Sequence, residues 1–260
     1  MHPVLIQFGK VTVYTYGFSI AVGFIVGILL AKHEAKRTGI DADLIMDLSF
    51  YIILSAIIGS RLFYVLTSPE SFLKDPLSII KIWTGGLVFY GGFALSFIVA
   101  VIYIKIRKMP LWQTADIFAP SIALGQFFGR LGCFSAGCCF GKVCDLPWAI
   151  TFNNPDSLAP TGIPLHPAQL YHAFGDLLIF SLLLFLKNKK KYEGQIFWMY
   201  IVMHGTTRFF IEIFRGDFRG KIFFNMFSIS QIIGTIMVIT GIVIMFFLNK
   251  KATDSKTKNA

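Results

Sequence analysis

The sequence predicts an all-α protein that spans a membrane about seven times and carries a small irregular cap on one side. Composition supports this class, because 55% of the 260 residues are hydrophobic and only 15% are charged, a balance that is rare in soluble domains. Seven apolar runs also approach the ~20 residues that a helix needs to cross a bilayer. We find no internal repeat in the sequence and expect a single membrane-embedded domain over residues 1–260.

The predicted spans follow one another closely along the chain. In order, they cover residues 13–31, 44–66, 87–104, 112–134, 169–186, 195–214 and 227–248. The fourth span is the weakest by hydropathy, because it contains Asp116, Gln126 and Arg130. We expect such a helix to turn its polar side chains toward the interior of the bundle. Residues 135–168 are rich in Pro, Gly and Asn and predict the cap, and residues 249–260 predict a basic cytoplasmic tail.

The charges predict how the chain is oriented. Of the 24 lysines and arginines, three lie inside predicted spans, 14 flank the spans on one side and seven flank them on the other. Lysine and arginine accumulate in cytoplasmic loops. This excess therefore predicts a cytoplasmic C-terminus and an outer N-terminus. The positive charges are scattered between apolar runs rather than gathered on one face, which argues against nucleic-acid binding.

Three arginines inside the predicted spans are the main functional signal. Arg61, Arg130 and Arg208 would each cost roughly 2.5–3.5 kcal/mol in hydrocarbon, so intramembrane charge indicates a functional site. A guanidinium presents a fork of donors that matches phosphate, and the first candidate ligand is a phospholipid headgroup. The alternative is an ion pair inside the membrane. Glu212 lies one helical turn after Arg208 and is the natural partner for it. Candidate acids for Arg130 are Asp47, Asp116, Asp176 and Glu212.

Seven short motifs then place the chain in a family. In order they are Tyr16-Gly17, Gly59-Ser60-Arg61, GGLVFYGG at 85–92, Asp116 with Ala119-Pro120, GRLGCF at 129–134, HPAQLY at 166–171 and RFFIEIFR at 208–215. Together they resemble the bacterial prolipoprotein diacylglyceryl transferases, whose usual central motif is Gly-Arg-x-Gly-Asn-Phe followed by Asn-x-Glu and a glycine. Each motif alone is weak, but their order and their positions on the spans make the resemblance specific.

The resemblance implies an enzyme of lipoprotein biosynthesis in the bacterial cytoplasmic (inner) membrane. Such an enzyme transfers the diacylglyceryl group of phosphatidylglycerol to a cysteine thiol in a prolipoprotein signal peptide. A thioether forms and glycerol phosphate leaves. The implied partners are phosphatidylglycerol, prolipoprotein signal peptides and the lipid bilayer. No metal or organic cofactor is expected.

The same resemblance assigns the site residues. Arg130 would hold the lipid phosphate and Arg208 would help the leaving group, because fixed donors stabilise developing negative charge best in a dry site. Tyr16, Arg61 and Gln169 would line the substrate cavity.

The sequence departs from the family pattern at one pair of aromatic positions. Tyr90 stands where the family has histidine, and His204 stands where it has tyrosine. We hypothesise that Tyr90 and His204 face each other in one cavity and that the proton acceptor has moved to His204, since an unperturbed histidine titrates near ~6.5. In the alternative interpretation, His204 is a satisfied core histidine and Tyr90 contributes packing only.

The cysteines are the second departure. Cys133, Cys138, Cys139 and Cys144 all lie within twelve residues, with Cys133 in place of the family's Asn and Cys138 in place of its Glu. The spacing C-x4-C-C-x4-C is not a standard zinc or iron–sulfur pattern. Three interpretations stay open: disulfides that brace the outer loop, free thiols that fill small spaces, and metal or redox chemistry.

Two other function classes compete with the transferase. A lipid or anion transporter would use the same arginines for binding without chemistry, but transporters often show inverted repeats and this sequence shows none. A membrane thiol oxidoreductase would depend on the cysteine cluster. In that case cysteine substitutions would abolish activity, whereas in a transferase we expect them mainly to reduce stability.

Overall fold

The computed structural model describes residues 2–9, 11–70, 76–80, 85–217 and 227–258. These residues form seven α-helices and two small two-stranded sheets. The helices are α1 (Thr15–Thr38), α2 (Ala42–Thr67), α3 (Phe89–Ile106), α4 (Leu111–Ala136), α5 (Ala168–Leu186), α6 (Gln195–Glu212) and α7 (Ile229–Lys258). The strands are β1 (Val4–Phe8), β2 (Val11–Tyr14), β3 (Ile150–Thr151) and β4 (Pro164–Leu165). The predicted all-α class is confirmed.

Six of the described helices are long and apolar enough to cross a membrane. The exception is α6, which carries His204, Arg208 and Glu212 within 18 residues. The predicted count of seven spans is therefore approximate, and the least apolar of the predicted spans is α6 rather than α4. Large apolar side chains such as those of Phe50 and Phe246 are mostly exposed. Contact with lipid would remove these side chains from water, as expected for membrane helices.

The chain divides into two compact units: residues 32–114 form one unit, and residues 1–31 with 115–260 form the other. In the unit of residues 32–114, α2 packs on α3 through glycines. A Cβ on Gly59 would lie 2.5 Å from the carbonyl oxygen of Gly91, and a Cβ on Gly91 would overlap the Cβ of Phe63. Small residues thus let two helix backbones approach closely, which explains part of the glycine-rich motif at 85–92.

The larger unit contains the main helical core. Ala119 and Ala123 of α4, Ile179 and Leu183 of α5 and Ile196 of α6 form one buried cluster. Helices α6 and α7 pack at another pair of glycines, since a Cβ on either Gly205 or Gly234 would lie 2.8 Å from the carbonyl oxygen of the other. The polar face of α6 is thereby held between α5 and α7.

The predicted cap forms between α4 and α5 and has its own small core. Strands β3 and β4 pair in antiparallel fashion, and Phe152 is buried against Ala159 and Leu165. An isolated bridge joins Gly141 to Arg215, just after α6. The predicted basic tail is helical as far as Lys258 because α7 extends into it, and residues 259–260 lie outside the described part. That residues 1–260 act as a single domain stays a prediction.

Candidate active site

Arg130 is a half-buried arginine on α4. Among the described residues of its unit, it makes no hydrogen bond and no ion pair. Its charge acts instead on four neighbouring groups. These are Tyr16, Cys133, His172 and Tyr200. A guanidinium held among uncharged groups in an apolar helix bundle provides donors for an external anion.

Asp116, one of the acids considered for Arg130, has other partners. One carboxylate oxygen accepts from the backbone N–H of Gly194 at 2.9 Å and lies 3.3 Å from Nζ of Lys190. The other accepts from the backbone N–H of Phe197 at 3.0 Å. Asp116 therefore fixes the start of α6, where orphan N–H groups need acceptors, and does not neutralise Arg130.

Arg208 on α6 is held from three directions. It donates to Oγ of Ser230 at 2.9 Å, its Nη1 lies 3.4 Å from Nε2 of His172, and its Nη2 lies 3.6 Å from Oε2 of Glu212. The predicted pair with Glu212 is confirmed. Because Ser230, His172 and Glu212 belong to three segments of the chain, the guanidinium has little freedom to move, which suits a preorganised donor.

His204, one turn before Arg208, lies beside a buried carboxylate. Its Nδ1 is 3.5 Å from Oδ1 of Asp176 on α5, and its ring stacks on that of Tyr200 with centroids 5.6 Å apart. Asp176 is 1% exposed, and neither of its oxygens has a hydrogen-bond partner among the described residues. A proton on Nδ1 would face the carboxylate, leaving Nε2 to accept a proton from a substrate.

His172 is the common neighbour of the charged groups. This fully buried histidine of α5 interacts electrostatically with four residues, Arg130, Arg208, Arg215 and His204. The sequence motifs assign no role to His172, and they suggest Asp176 only as a partner for Arg130. Both residues lie on α5 one turn apart. Ionisable residues within a predicted span were the available signal, but the sequence does not show which groups they meet.

Gln169 and Tyr16, two predicted lining residues, differ in their environments. Gln169 is fully buried and donates from Nε2 to the backbone oxygen of Cys138 at 2.8 Å, so it anchors the chain that leaves α4. Tyr16 is exposed and lies against Gly132, where an added Cβ would come within 3.2 Å of the ring. Their roles as substrate contacts stay predictions.

Three of the four cysteines converge at the end of α4. Within the described residues, which include all four, none forms a disulfide. The Sγ atoms of Cys133, Cys138 and Cys139 all lie within 4.8 Å of one another, and Cys144 is outside this group. Hydrogen bonding with the Cys133 and Cys138 thiols and interaction with Arg215 lower the pKa of the Cys139 thiol.

Arg61 and Tyr90 belong to the unit of residues 32–114. The Arg61 guanidinium donates to the backbone oxygens of Ile79 at 2.9 Å, Gly85 at 2.6 Å and Gly86 at 3.1 Å, and also to that of Ser78. Arg61 thus holds the connection before α3. Tyr90 is 63% exposed and lies next to Phe89. The binding role of Arg61 and the facing of Tyr90 and His204 stay predictions.

Comparison with known proteins identifies relatives over nearly the whole chain. Residues 3–247 match a family model described as prolipoprotein diacylglyceryl transferase. A phosphatidylglycerol--prolipoprotein diacylglyceryl transferase of Clostridium tetani is 34% identical over 244 residues, or 94% of this chain and 96% of the relative. The corresponding protein of Finegoldia magna is 35% identical, with 94% of each chain covered. Phosphatidylglycerol--prolipoprotein diacylglyceryl transferase 2 of Clostridium perfringens is 34% identical over 253 residues, with 96% of each chain covered.

Proposed function

The chain belongs to the prolipoprotein diacylglyceryl transferase family, and from this premise we propose how its residues transfer the diacylglyceryl group of phosphatidylglycerol to the lipobox cysteine of a prolipoprotein. The protein is a membrane-embedded transferase of lipoprotein biosynthesis. Its acceptor is a thiol and its donor is an anionic phospholipid.

The reaction creates negative charge at two places. The acceptor thiol loses its proton, and the thiolate sulfur attacks the glycerol carbon that carries the phosphate ester. The carbon–oxygen bond breaks as the carbon–sulfur bond forms, and glycerol phosphate leaves with the electron pair. The site must therefore supply a proton acceptor for the thiol and fixed cations for the phosphate.

Arg130 is the residue whose environment most strongly supports phosphate binding. Its guanidinium is half-buried on an apolar helix and has no ion pair among the described residues of its unit. A half-buried guanidinium stabilises a bound phosphate more than a solvent-exposed guanidinium would, because the dielectric constant around it is lower. Two parallel N–H donors also match two phosphate oxygens.

Arg208 stabilises the leaving group in this proposal. Its contacts with Ser230, His172 and Glu212 fix the guanidinium before substrate binds. Fixed donors need little reorganisation when charge develops on the departing oxygen, which is the basis of electrostatic catalysis.

His204 serves as the proton acceptor. A catalytic imidazole needs one nitrogen oriented by a third group and the other facing the substrate proton. The Asp176 carboxylate lies 3.5 Å from Nδ1 without a hydrogen bond between them, and its charge favours a proton on Nδ1. Tyr90 acts with His204 and Arg208 as a catalytic group in this proposal, and Arg61, Tyr16 and Gln169 bind phosphatidylglycerol. The roles of Arg61, Tyr16 and Gln169 rest on the family motifs, and that of Tyr90 rests on its exchange with His204 relative to the family pattern.

The enzyme resides in the bacterial inner membrane with its N-terminus outside and its C-terminus in the cytoplasm. The excess of lysine and arginine on the C-terminal side supports this orientation. It places the cap at residues 137–167 on the outer side, where signal peptides of exported prolipoproteins emerge.

The test uses purified protein in vesicles of phosphatidylglycerol with a signal peptide that has one lipobox cysteine. Mass spectrometry should show the peptide with one added diacylglyceryl group. Arg130→Ala should lower the initial rate by at least ~10²-fold. The control Arg107→Ala, at an arginine that follows α3, should stay within about twofold of wild type. Unmodified peptide with folded wild-type protein would refute the transferase, and phospholipid transfer across the vesicle without peptide modification would favour a transporter.

A further inference from the structure

Three thiols meet where α4 ends and the cap begins. Cys133 lies in the last turn of α4, and Cys138 and Cys139 follow the helix directly. Gly137 at φ 76° ends the helix in the left-handed region, as is usual at helix C-termini. Cys139 also has a positive φ, 61°, which is uncommon for a residue other than glycine and often marks a functional site.

We propose that Cys133, Cys138 and Cys139 bind one thiophilic divalent cation, Zn²⁺ in the cell, and that a fourth coordination position stays open for the acceptor thiol. The metal site itself follows from the convergence of the three sulfur atoms. The role of the open position rests on the proposed function.

The sulfur positions fit a tetrahedral cation. Zinc–thiolate bonds are ~2.3 Å long, so two thiolates on one zinc ion lie roughly 3.8 Å apart. The three Sγ atoms are all within 4.8 Å of one another. Side-chain rotations that move each sulfur by about 1 Å would bring them to the separation that zinc requires. The three cysteines are partly exposed, which leaves a route for the ion and for a fourth ligand.

The surrounding charges suit a site rich in thiolates. Three thiolates and a dication carry a net charge of about −1, and a bound acceptor thiolate makes it about −2. Arg130 acts electrostatically on Cys133. Arg215 uses Nε and Nη2 for Asp217 at 2.8 Å each, while its buried Nη1 has no hydrogen-bond partner among the described residues. Arg215 also interacts with Cys139. Its Nη1 could donate a hydrogen bond to a metal-bound sulfur atom.

The open position would activate the acceptor. Catalytic zinc sites keep one position for a water or substrate, and a thiol that coordinates zinc is deprotonated outright. The acceptor thiol would give its proton by way of water to His204, the proton acceptor of the proposed function, and would bind the cation as a thiolate that then attacks the phospholipid carbon. The product thioether is a neutral, weaker ligand and leaves, and glycerol phosphate departs with the bonding electrons. No oxidation state changes.

The spacing of the cysteines concealed this site in the sequence. Standard zinc patterns separate two pairs of ligands by a longer connecting segment, whereas here Cys133 and Cys138 are followed at once by Cys139. The turn at Gly137, together with the anchoring of the Cys138 carbonyl by Gln169 at 2.8 Å, brings Cys133, Cys138 and Cys139 together.

The first measurement is the metal content of full-length protein purified in detergent under reducing conditions. Elemental analysis should find about one zinc ion per chain in wild type. Cys133→Ser and Cys139→Ser should each lose most of it. Cys144→Ser is the matched control and should keep it, because Cys144 lies outside the cluster. Wild-type protein without bound metal, and without metal uptake when Zn²⁺ is added, would overturn the proposal, as would a disulfide among the three cysteines under reducing conditions.

The second measurement tests the open position without phospholipid and without any variant. Wild-type protein loaded with Co²⁺ should show thiolate-to-cobalt charge-transfer absorption. A signal peptide with a lipobox cysteine should change this spectrum, and the same peptide with serine should not. Identical spectra with both peptides would make the ion structural and refute the role in activation. If instead metal and peptide bind as expected but no peptide is ever modified, the transferase proposal fails and the metal site stands.

Discussion

Replacing Asp176 by asparagine tests the proton acceptor with a change that keeps side-chain shape. The carboxylate is buried and lies 3.5 Å from Nδ1 of His204. Asparagine removes the negative charge that would stabilise the imidazolium formed when His204 takes the thiol proton. It also presents either an amide N–H or a carbonyl to Nδ1, so a negative charge no longer favours the tautomer that carries its proton on Nδ1.

The size of the effect follows from the distance between the two groups. Two unit charges 3.5 Å apart interact by about 5 kcal/mol at an effective dielectric constant of ~20. Part of this is offset by the cost of burying the carboxylate. We therefore expect kcat to fall on the order of 10²–10³-fold, in the range that general-base catalysis contributes. Thermal stability should not fall, because Asp176→Asn removes a buried charge that has no hydrogen bond among the described residues.

The assay is the initial rate of peptide modification in phosphatidylglycerol vesicles, with Asp156→Asn as control at an exposed acid of the cap. A peptide in which selenocysteine replaces the lipobox cysteine separates catalysis from structure. A selenol ionises more readily than a thiol and needs less help from a base, so it should recover most of the activity lost in Asp176→Asn. An Asp176→Asn rate within about twofold of wild type, or an equal deficit with both peptides, would refute the assignment of His204 as the base.

Two further predictions concern packing in the unit of residues 32–114. Arg61→Ala removes a guanidinium that donates to four backbone carbonyls and should cost about 2–4 kcal/mol. The midpoint of thermal unfolding in detergent should then drop by roughly 5–10 °C, whereas Arg107→Ala should leave it nearly unchanged. Gly91→Ala places a Cβ on that of Phe63 and should destabilise the α2–α3 contact by about 1–3 kcal/mol. Gly125→Ala is the control, because its Cβ would meet only an ordinary contact at 3.8 Å, and equal midpoints for the two variants would contradict the close packing.

Hydropathy predicted the helices well because span length and composition are local properties. It placed α4 correctly despite Asp116 and Arg130, and it also predicted the helix at α6, whose polar face lowers its apolar content. The pair formed by Arg208 and Glu212 was predictable from helical spacing alone.

The sequence patterns did not predict which side chains of different helices contact one another. His204 and Asp176 lie on different helices, α6 and α5, and no periodicity links them. The acceptors of Arg61 are backbone carbonyls of the segment before α3, and any residue type supplies a carbonyl. The cysteine cluster depends on the turn at Gly137, so its members converge only after α4 has ended.

Charge balance connects the arginines with the cysteine cluster. Of the three arginines described in the larger unit, Arg208 and Arg215 each lie within 4 Å of a carboxylate. Arg130 forms no ion pair with any carboxylate among the described residues of that unit. An unpaired cation suits an anionic donor lipid, but it also leaves the apo site with excess positive charge. The family motif has a glutamate where this chain has Cys138, so the substitution removes one fixed negative charge. Three thiolates with a divalent cation would restore about −1 at the same place, next to the arginine that we propose holds the phosphate.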